Sequence, residues 1–191
     1  MKTLVLDASS NILYISFYDN NKEIYLIKGE GRNNHSENLL QAVSAGLDQC
    51  NLRLSDFKKI IVGIGPGSYT GLRVALTVAK MFAWTLEIPL YTASSLDILA
   101  SGYFNNDGIY AITSRAKKGH VYGKLLEIKS GGQNVIFDDC FLETEKFLKK
   151  IEGYNYFEVN SDNYRFNPLN LNIHPVSNLH ELTPNYLRSE I

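Results

Sequence analysis

Short apolar runs separated by polar breaks open the chain and predict three strands, Thr3 to Leu6, Leu13 to Tyr18 and Glu23 to Ile27. Asn20-Asn21 supplies the hairpin turn between the last two, so the strands form a meander. From Asn34 the spacing turns helical: Leu39, Leu40, Val43, Leu47 and Cys50 recur on one face, and Asn34 and Glu37 stand at capping-box spacing. Ile60-Ile61-Val62 then predicts a buried strand, Leu72 to Leu86 a long helix, Leu90-Tyr91-Thr92 after Pro89 a further strand, and Ser94 to near Gly102 a helix. Beyond that point Gly108 to Thr113 and His120 to Ile128 predict paired strands, Glu143 to Glu152 a helix with Phe147, Leu148 and Ile151 on one face, and Tyr156 to Val159 a short strand. Asn160 to Asn185, rich in Asn and Pro and holding His174 and His180, predicts loop around short elements.

The densest run of constraint lies between the Ile60-Ile61-Val62 strand and the long helix, in Gly63-Ile64-Gly65-Pro66-Gly67-Ser68-Tyr69-Thr70-Gly71-Leu72-Arg73. Glycine reaches positive φ without a Cβ clash and admits close approach of another backbone or an anion, Pro66 stiffens the turn, and Ser68 or Thr70 can cap the following helix. The spacing excludes two phosphate-binding motifs. A P-loop needs a Lys after its last glycine, where Gly71 is followed by Leu72, and a dinucleotide fingerprint started at Gly63 or Gly65 ends on Ser68 or Thr70 instead of glycine. A tight turn that packs a helix closely on a sheet accounts for the same glycines, and its helix N-terminus would attract anions in either case.

The long helix is apolar over most of its circumference. Arg73, Thr77 and Lys80 form one polar strip, and Val74, Val78, Met81 and Thr85 line up on a side that must be covered by a second lobe or by another protein.

Composition adds bounds to this picture. The 191 residues are 45% hydrophobic with twelve Tyr and nine Phe and a net charge of −1, enough to bury one or two small cores and without the charge excess of a dedicated nucleic-acid binder. Met1-Lys2 leads directly into a strand and the apolar run around Val74 is interrupted by Thr77, Lys80 and Thr85, so neither a signal peptide nor a membrane span is expected, and the expected location is the cytoplasm. Cys50 and Cys140 are far apart and outside any Cys-x-x-Cys pair, which points to reduced thiols, with no metal site. His35 has Leu39 four residues on, so no ligand pair forms, and it is read as a helix-terminal or partner-contact residue. Ser68 is not in a G-x-S-x-G elbow, which leaves a peptidase reading without a nucleophile. The loop holding Arg115, Lys117, Lys118 and His120 is read as solvated turn charge.

The run from Gly65 to Arg73 closely resembles the G-x-GPGS[FY]TG-[LV]-R segment of the TsaB (YeaZ) family, a non-catalytic subunit of the bacterial machinery that makes threonylcarbamoyladenosine in transfer RNA. Three more pieces match in order: Leu6-Asp7-Ala8-Ser9, His35-Ser36-Glu37-Asn38-Leu39-Leu40, and Pro184-Asn185-Tyr186-Leu187-Arg188. Gln41 departs from the family's usual Pro, and Thr113 from its usual Asp in the strand before Arg115. The resemblance covers about the first hundred residues well and the rest thinly.

What the resemblance implies is an α/β protein of the actin-like, hexokinase and sugar-kinase (ASKHA, ribonuclease H-like) fold. It would have an N-terminal lobe over residues 1–103 and an abbreviated second lobe over 104–191. It implies a scaffold that binds the catalytic subunit TsaD through the helices starting near Ser36 and Leu72, with His35, Leu39, Val43, Val74, Val78 and Met81 as contacts. It also implies the ATPase TsaE as a further partner, tRNA met only through the complex, and a homodimer when TsaD is absent. TsaD proteins carry an H-x-x-x-H metal motif where this chain has Ser95 and Leu99, so the chain resembles the partner and not the catalyst. Asp7 and Ser9 occupy the place where the superfamily holds Mg-ATP, but the usual glycine after the Asp is missing. They are a relic nucleotide loop or a turn-capping carboxylate. No cofactor is therefore expected, with ATP held, if at all, at an interface shared with partners. The alternative is an ATP-dependent kinase or hydrolase that uses Asp7 as the metal-linked acid.

Overall fold

The computed structural model describes residues 1–30 and 35–187, with the side chains of residues 30 and 35–37 left out. The expected Asn34–Glu37 capping box, the His35 contact and Arg188 lie outside what is described. The chain runs β1 (Lys2–Asp7), β2 (Ile12–Asp19), β3 (Lys22–Glu30), α1 (His35–Cys50), β4 (Phe57–Gly63), α2 (Tyr69–Leu86), β5 (Leu90–Ala93) and α3 (Ser95–Ala100). It continues through β6 (Gly108–Arg115), β7 (His120–Lys129), β8 (Gly132–Glu143), α4 (Thr144–Ile151), β9 (Tyr156–Val159) and β10 (His174–Pro175). Among the described residues no helix is long and apolar enough to cross a membrane.

Two sheets result. The first has the order β10-β5-β4-β1-β2-β3, with β1, β2 and β3 antiparallel neighbours and β4 and β5 running parallel to β1. Both faces of this sheet are covered, which is why β2 is buried at nearly every position and not at alternate ones. Leu4, Leu6, Leu13, Ile15 and Phe17 point to one face and pack with α1 and α2, while Val5, Tyr14 and Ile61 point to the other and pack with Ile98 of α3. The second sheet, β8-β7-β6-β9, buries Ile112, Leu126 and Ile128 against α3 on one side and Ala111 and Leu125 against Phe147 and Ile151 of α4 on the other. Cys50 and Cys140 are unbridged thiols.

Several sequence expectations need correction. Leu40 is 48% exposed because α1 presents Leu39 and Val43 to the sheet, a quarter turn away. Leu148 is likewise exposed while Phe147 and Ile151 are buried. Strand β8 was not anticipated: its Gln133, Asn134, Asp138 and Asp139 interrupt the apolar run, and its pairing with β7 shifts register near Leu125. The division at residue 103 fails at the C-terminal end, where β10 pairs with β5 and Leu179 and Leu182 pack into the first lobe's core.

Candidate functional site

The glycine-rich turn is clamped against the end of β1. A Cβ on Gly67 would fall 2.2 Å from the Ser9 carbonyl oxygen and one on Gly71 1.8 Å from that of Ala8, so only glycine lets the two backbones approach this closely. The Ser68 amide donates to the Ser9 carbonyl (2.5 Å), and the Ser68 hydroxyl caps α2 by accepting from the Gly71 amide (3.3 Å). Pro66 follows a cis peptide bond. The C-terminal motif closes the turn from its other side: the Asn185 amide donates to the Ile64 carbonyl (2.7 Å), and Tyr186 packs against Tyr69 with ring centroids 5.0 Å apart and planes tilted by 33°. Arg73 lies over the Tyr69 ring (4.3 Å) and donates from Nε to the Tyr186 hydroxyl (3.0 Å). Two motifs more than a hundred residues apart in sequence thus form one structure.

Asp7 sits beneath this turn, buried, with both carboxylate oxygens in use. Oδ1 accepts from the Ser9 amide (3.0 Å) and hydroxyl (2.6 Å), and Oδ2 accepts from the Ser95 hydroxyl (2.5 Å), which itself accepts from the Gly65 amide (3.0 Å). A Cβ on Gly63 would meet Oδ2 at 1.7 Å, so that glycine leaves the carboxylate its room. Burial pushes the Asp7 pKa up, against the hydroxyl and amide bonds that hold it down. The adjoining cavity has a volume of only about 10 Å³, space for roughly one water, and Phe166 from the C-terminal segment stacks on Tyr14 at its wall (3.9 Å).

The expected partner residues divide. Leu39, Val43 and Val78 are buried in the first lobe's own core, Val74 is half-buried, and Met81 is 45% exposed. The correction has a simple cause: α2 turns Leu72, Ala75, Leu76, Ala79 and Phe82 inward together with Val78. What it leaves in solvent is the row Thr70, Arg73, Thr77, Met81 and Trp84. Trp84, 63% exposed, was missed by sequence reasoning; among the described residues its partner ring is His180, edge-on at 4.8 Å. Lys80 is not part of a free polar strip, because its ammonium holds the carbonyls of His180 (3.5 Å) and Leu182 (3.2 Å) and so ties the tail to α2.

A buried ionic cluster was also missed. Lys124 on β7 donates to Asp97 Oδ2 on α3 (2.8 Å) and lies 3.7 Å from Asp139 on β8, which accepts from the Ser94 hydroxyl (3.1 Å). Burial works to lower the Lys124 pKa, but the two carboxylates outweigh it and hold the ammonium above its ordinary value. Burial pushes Asp139 up to about 6, and Lys124 and Ser94 offset only part of that. Asp97 is also pushed up by burial despite Lys124, and its Oδ1 has no hydrogen-bond partner among the described residues. The signal was a lone Lys within the apolar run Val121 to Ile128. Among the described residues no group of metal-ligating side chains converges.

Comparison with known proteins places this geometry. A family model described as "TsaD: tRNA N6-adenosine threonylcarbamoyltransferase" matches residues 29–183. The tRNA threonylcarbamoyladenosine biosynthesis protein TsaB of Bacillus subtilis (strain 168) is 36% identical over 146 residues, covering 73% of this chain and 64% of that protein. The protein of the same name from Buchnera aphidicola subsp. Baizongia pistaciae is 34% identical over 107 residues, covering 56% and 48%. The matches thus span less than two thirds of these relatives' length. Among solved structures, YeaZ from Pseudomonas aeruginosa superposes with a TM-score of 0.73 at 24% identity, covering 83% of this chain and 75% of that one. An uncharacterized protein described as similar to peptidase YEAZ from Pseudomonas aeruginosa superposes with 0.78 at 22% identity, covering 98% and 99%. The fold is therefore the expected actin-like α/β arrangement, and the chain belongs to the TsaB/YeaZ family, within the wider group that the TsaD model describes.

Proposed function

We propose that this protein is a non-catalytic subunit in the pathway that makes threonylcarbamoyladenosine in tRNA. In this reading it pairs with a TsaD-like catalytic subunit, supports assembly with a TsaE-like ATPase, and meets tRNA as part of that cytoplasmic complex. The observation that carries the reading is the state of Asp7. Its carboxylate is fully engaged by Ser9 and Ser95, and the adjoining cavity, as the described residues form it, takes about one water, so a nucleotide or metal against this carboxylate would require rebuilding the turn. ATP, if bound, would sit at an interface shared with a partner.

The face of α2 that carries Arg73, Thr77, Met81 and Trp84, with Leu40 of α1, is the docking surface in this reading. A second copy of the chain would use it as a weaker homodimer. Because Met81 and Trp84 are exposed, Met81→Asp with Trp84→Ala should leave folding intact. It should weaken titration with the TsaD-like subunit about a hundredfold, at 1.4 kcal/mol per factor of ten. Unchanged association in sedimentation would move the docking surface elsewhere. The kinase or hydrolase alternative requires Mg-dependent ATP turnover by the isolated protein that disappears in Asp7→Ala, and the expected result is no turnover in either.

A further inference from the structure

The β6–β7 loop and the connection after β9 enclose an open basin of about 500 Å³ at one tip of the second sheet. Arg115, Lys117, Lys118 and His120 of the loop line it, together with Thr144, whose amide donates to the Gly119 carbonyl (3.0 Å), and with Ser161 and Asp162. The sequence suggested merely solvated turn charge; the structure organises it. The His120 ring stacks on Phe141 (centroids 5.0 Å apart, 16° between planes), and the Lys117 ammonium lies 5.3 Å from the same ring's centroid. His120 Nδ1 lies 3.2 Å from the Lys118 carbonyl and the His120 amide donates to the Lys117 carbonyl (2.9 Å), so the loop is tied to the aromatic platform. Among the described residues, no carboxylate lies within ion-pair distance of Arg115, Lys117 or Lys118, although the chain as a whole carries a net charge of −1. Glu143, the neighbouring acid, is paired with Lys146 instead (3.2 Å).

We infer that this basin binds the phosphodiester backbone of RNA. Three cations that have no acid partner among the described residues, with the Thr144 and Ser161 side chains lining the same basin, suit successive phosphate oxygens, and the partly exposed His120–Phe141 stack offers a ring face beside them. Such contacts position RNA without reading its sequence. That the RNA is tRNA rests on the function proposed above; the basin itself does not. Asp162 also lines the basin, and its negative charge works against phosphate there.

The test is fluorescence anisotropy of a labelled single-stranded RNA titrated with the full chain at low salt, about 50 mM. The expected result is saturable binding whose affinity falls with a log–log salt slope of about −2, from three phosphates at roughly 0.7 each. Arg115→Glu with Lys117→Glu and Lys118→Glu should weaken it at least about tenfold and flatten the slope, with the three alanine substitutions falling between. A control of equal charge, Lys22→Glu with Lys58→Glu and Lys129→Glu, should stay within about threefold. Equal loss in both triple variants, no binding by the wild-type chain, or displacement by poly-glutamate or ATP as readily as by unlabelled RNA would each overturn the inference. Sedimentation with the TsaD-like subunit separates the two readings. The basin variants should associate normally, and the Met81→Asp, Trp84→Ala protein should still bind RNA.

Discussion

Replacing Gly71 by alanine sets two physical effects against each other, and the structure decides the sign. Gly71 lies in the first turn of α2, where alanine's better helix propensity would contribute up to about 1 kcal/mol of stability. The new Cβ, however, would stand 1.8 Å from the Ala8 carbonyl oxygen, and contacts under 3.0 Å are essentially never found, so the two backbones must part by at least 1.2 Å (3.0 less 1.8). Neither side yields easily. Ala8 directly follows β1, which is paired on both edges, and α2 is committed to the core through Leu72, Ala75, Ala79 and Phe82. Overpacking of this kind costs typically 1–3 kcal/mol, and against a fixed carbonyl about 3 is appropriate. Net of helix propensity, Gly71→Ala should destabilise by about 2 kcal/mol, which for a chain of this size lowers Tm by about 4–8 °C. Thermal melts by circular dichroism read this directly, with Gly29→Ala as the control, since among the described residues nothing lies within 4 Å of a Cβ there. A Gly71→Ala protein that melts at or above the wild-type temperature would refute the argument, because propensity would then have won and the close approach would not be binding the turn.

Three further outcomes follow from the same structure. Lys124→Met leaves Asp97 and Asp139 buried without their counter-ion and should cost about 3–5 kcal/mol at pH 7 in urea unfolding, more than any single loss at the surface. Asp139, at about 6 when folded against an ordinary 3.8, binds its proton more tightly in the native state; its favourable contribution is full below about pH 4 and is lost as pH rises through 6, on the order of 2–3 kcal/mol. Asp139→Asn should flatten that part of the stability–pH curve between pH 4.5 and 7, and an unchanged slope would refute the assignment. Tyr186→Ala removes the ring that packs against Tyr69 and whose hydroxyl accepts from Arg73, so limited proteolysis should cut the tail after Val176 sooner than in the wild type while the melting of the core changes little.

Where local chemistry dictated the outcome, the sequence was legible. The β1–β2–β3 meander, the strand–turn–helix around Ser68 and the need for glycine at 67 and 71 all follow from residues within reach of one another along the chain. What could not be read was orientation. Helix α2 is apolar on so much of its circumference that periodicity cannot say whether Val78 or Trp84 turns to the sheet, and packing against β1 and β4 decides for Val78. The fate of the C-terminal tail is tertiary in the same sense. Lys80 and Tyr69 hold residues 180–186 across a hundred positions of sequence, and no local signal encodes that distance.

The two residues that pattern reasoning handled worst violate the same rule in opposite directions. Lys124 is a charge in the core and Trp84 a large apolar ring in water. The first violation is resolved inside the chain, because Asp97 and Asp139 arrive from α3 and β8 to pair with the ammonium. The second is not: His180 touches the indole edge-on, and Trp84 remains 63% exposed beside an exposed Met81. A misfit that the fold compensates speaks to stability and to how two sheets are joined. One that it leaves uncompensated, Trp84 beside Met81 on the outer face of α2, is what the docking surface proposed above would cover. The α2 row is therefore the place to look for the partner.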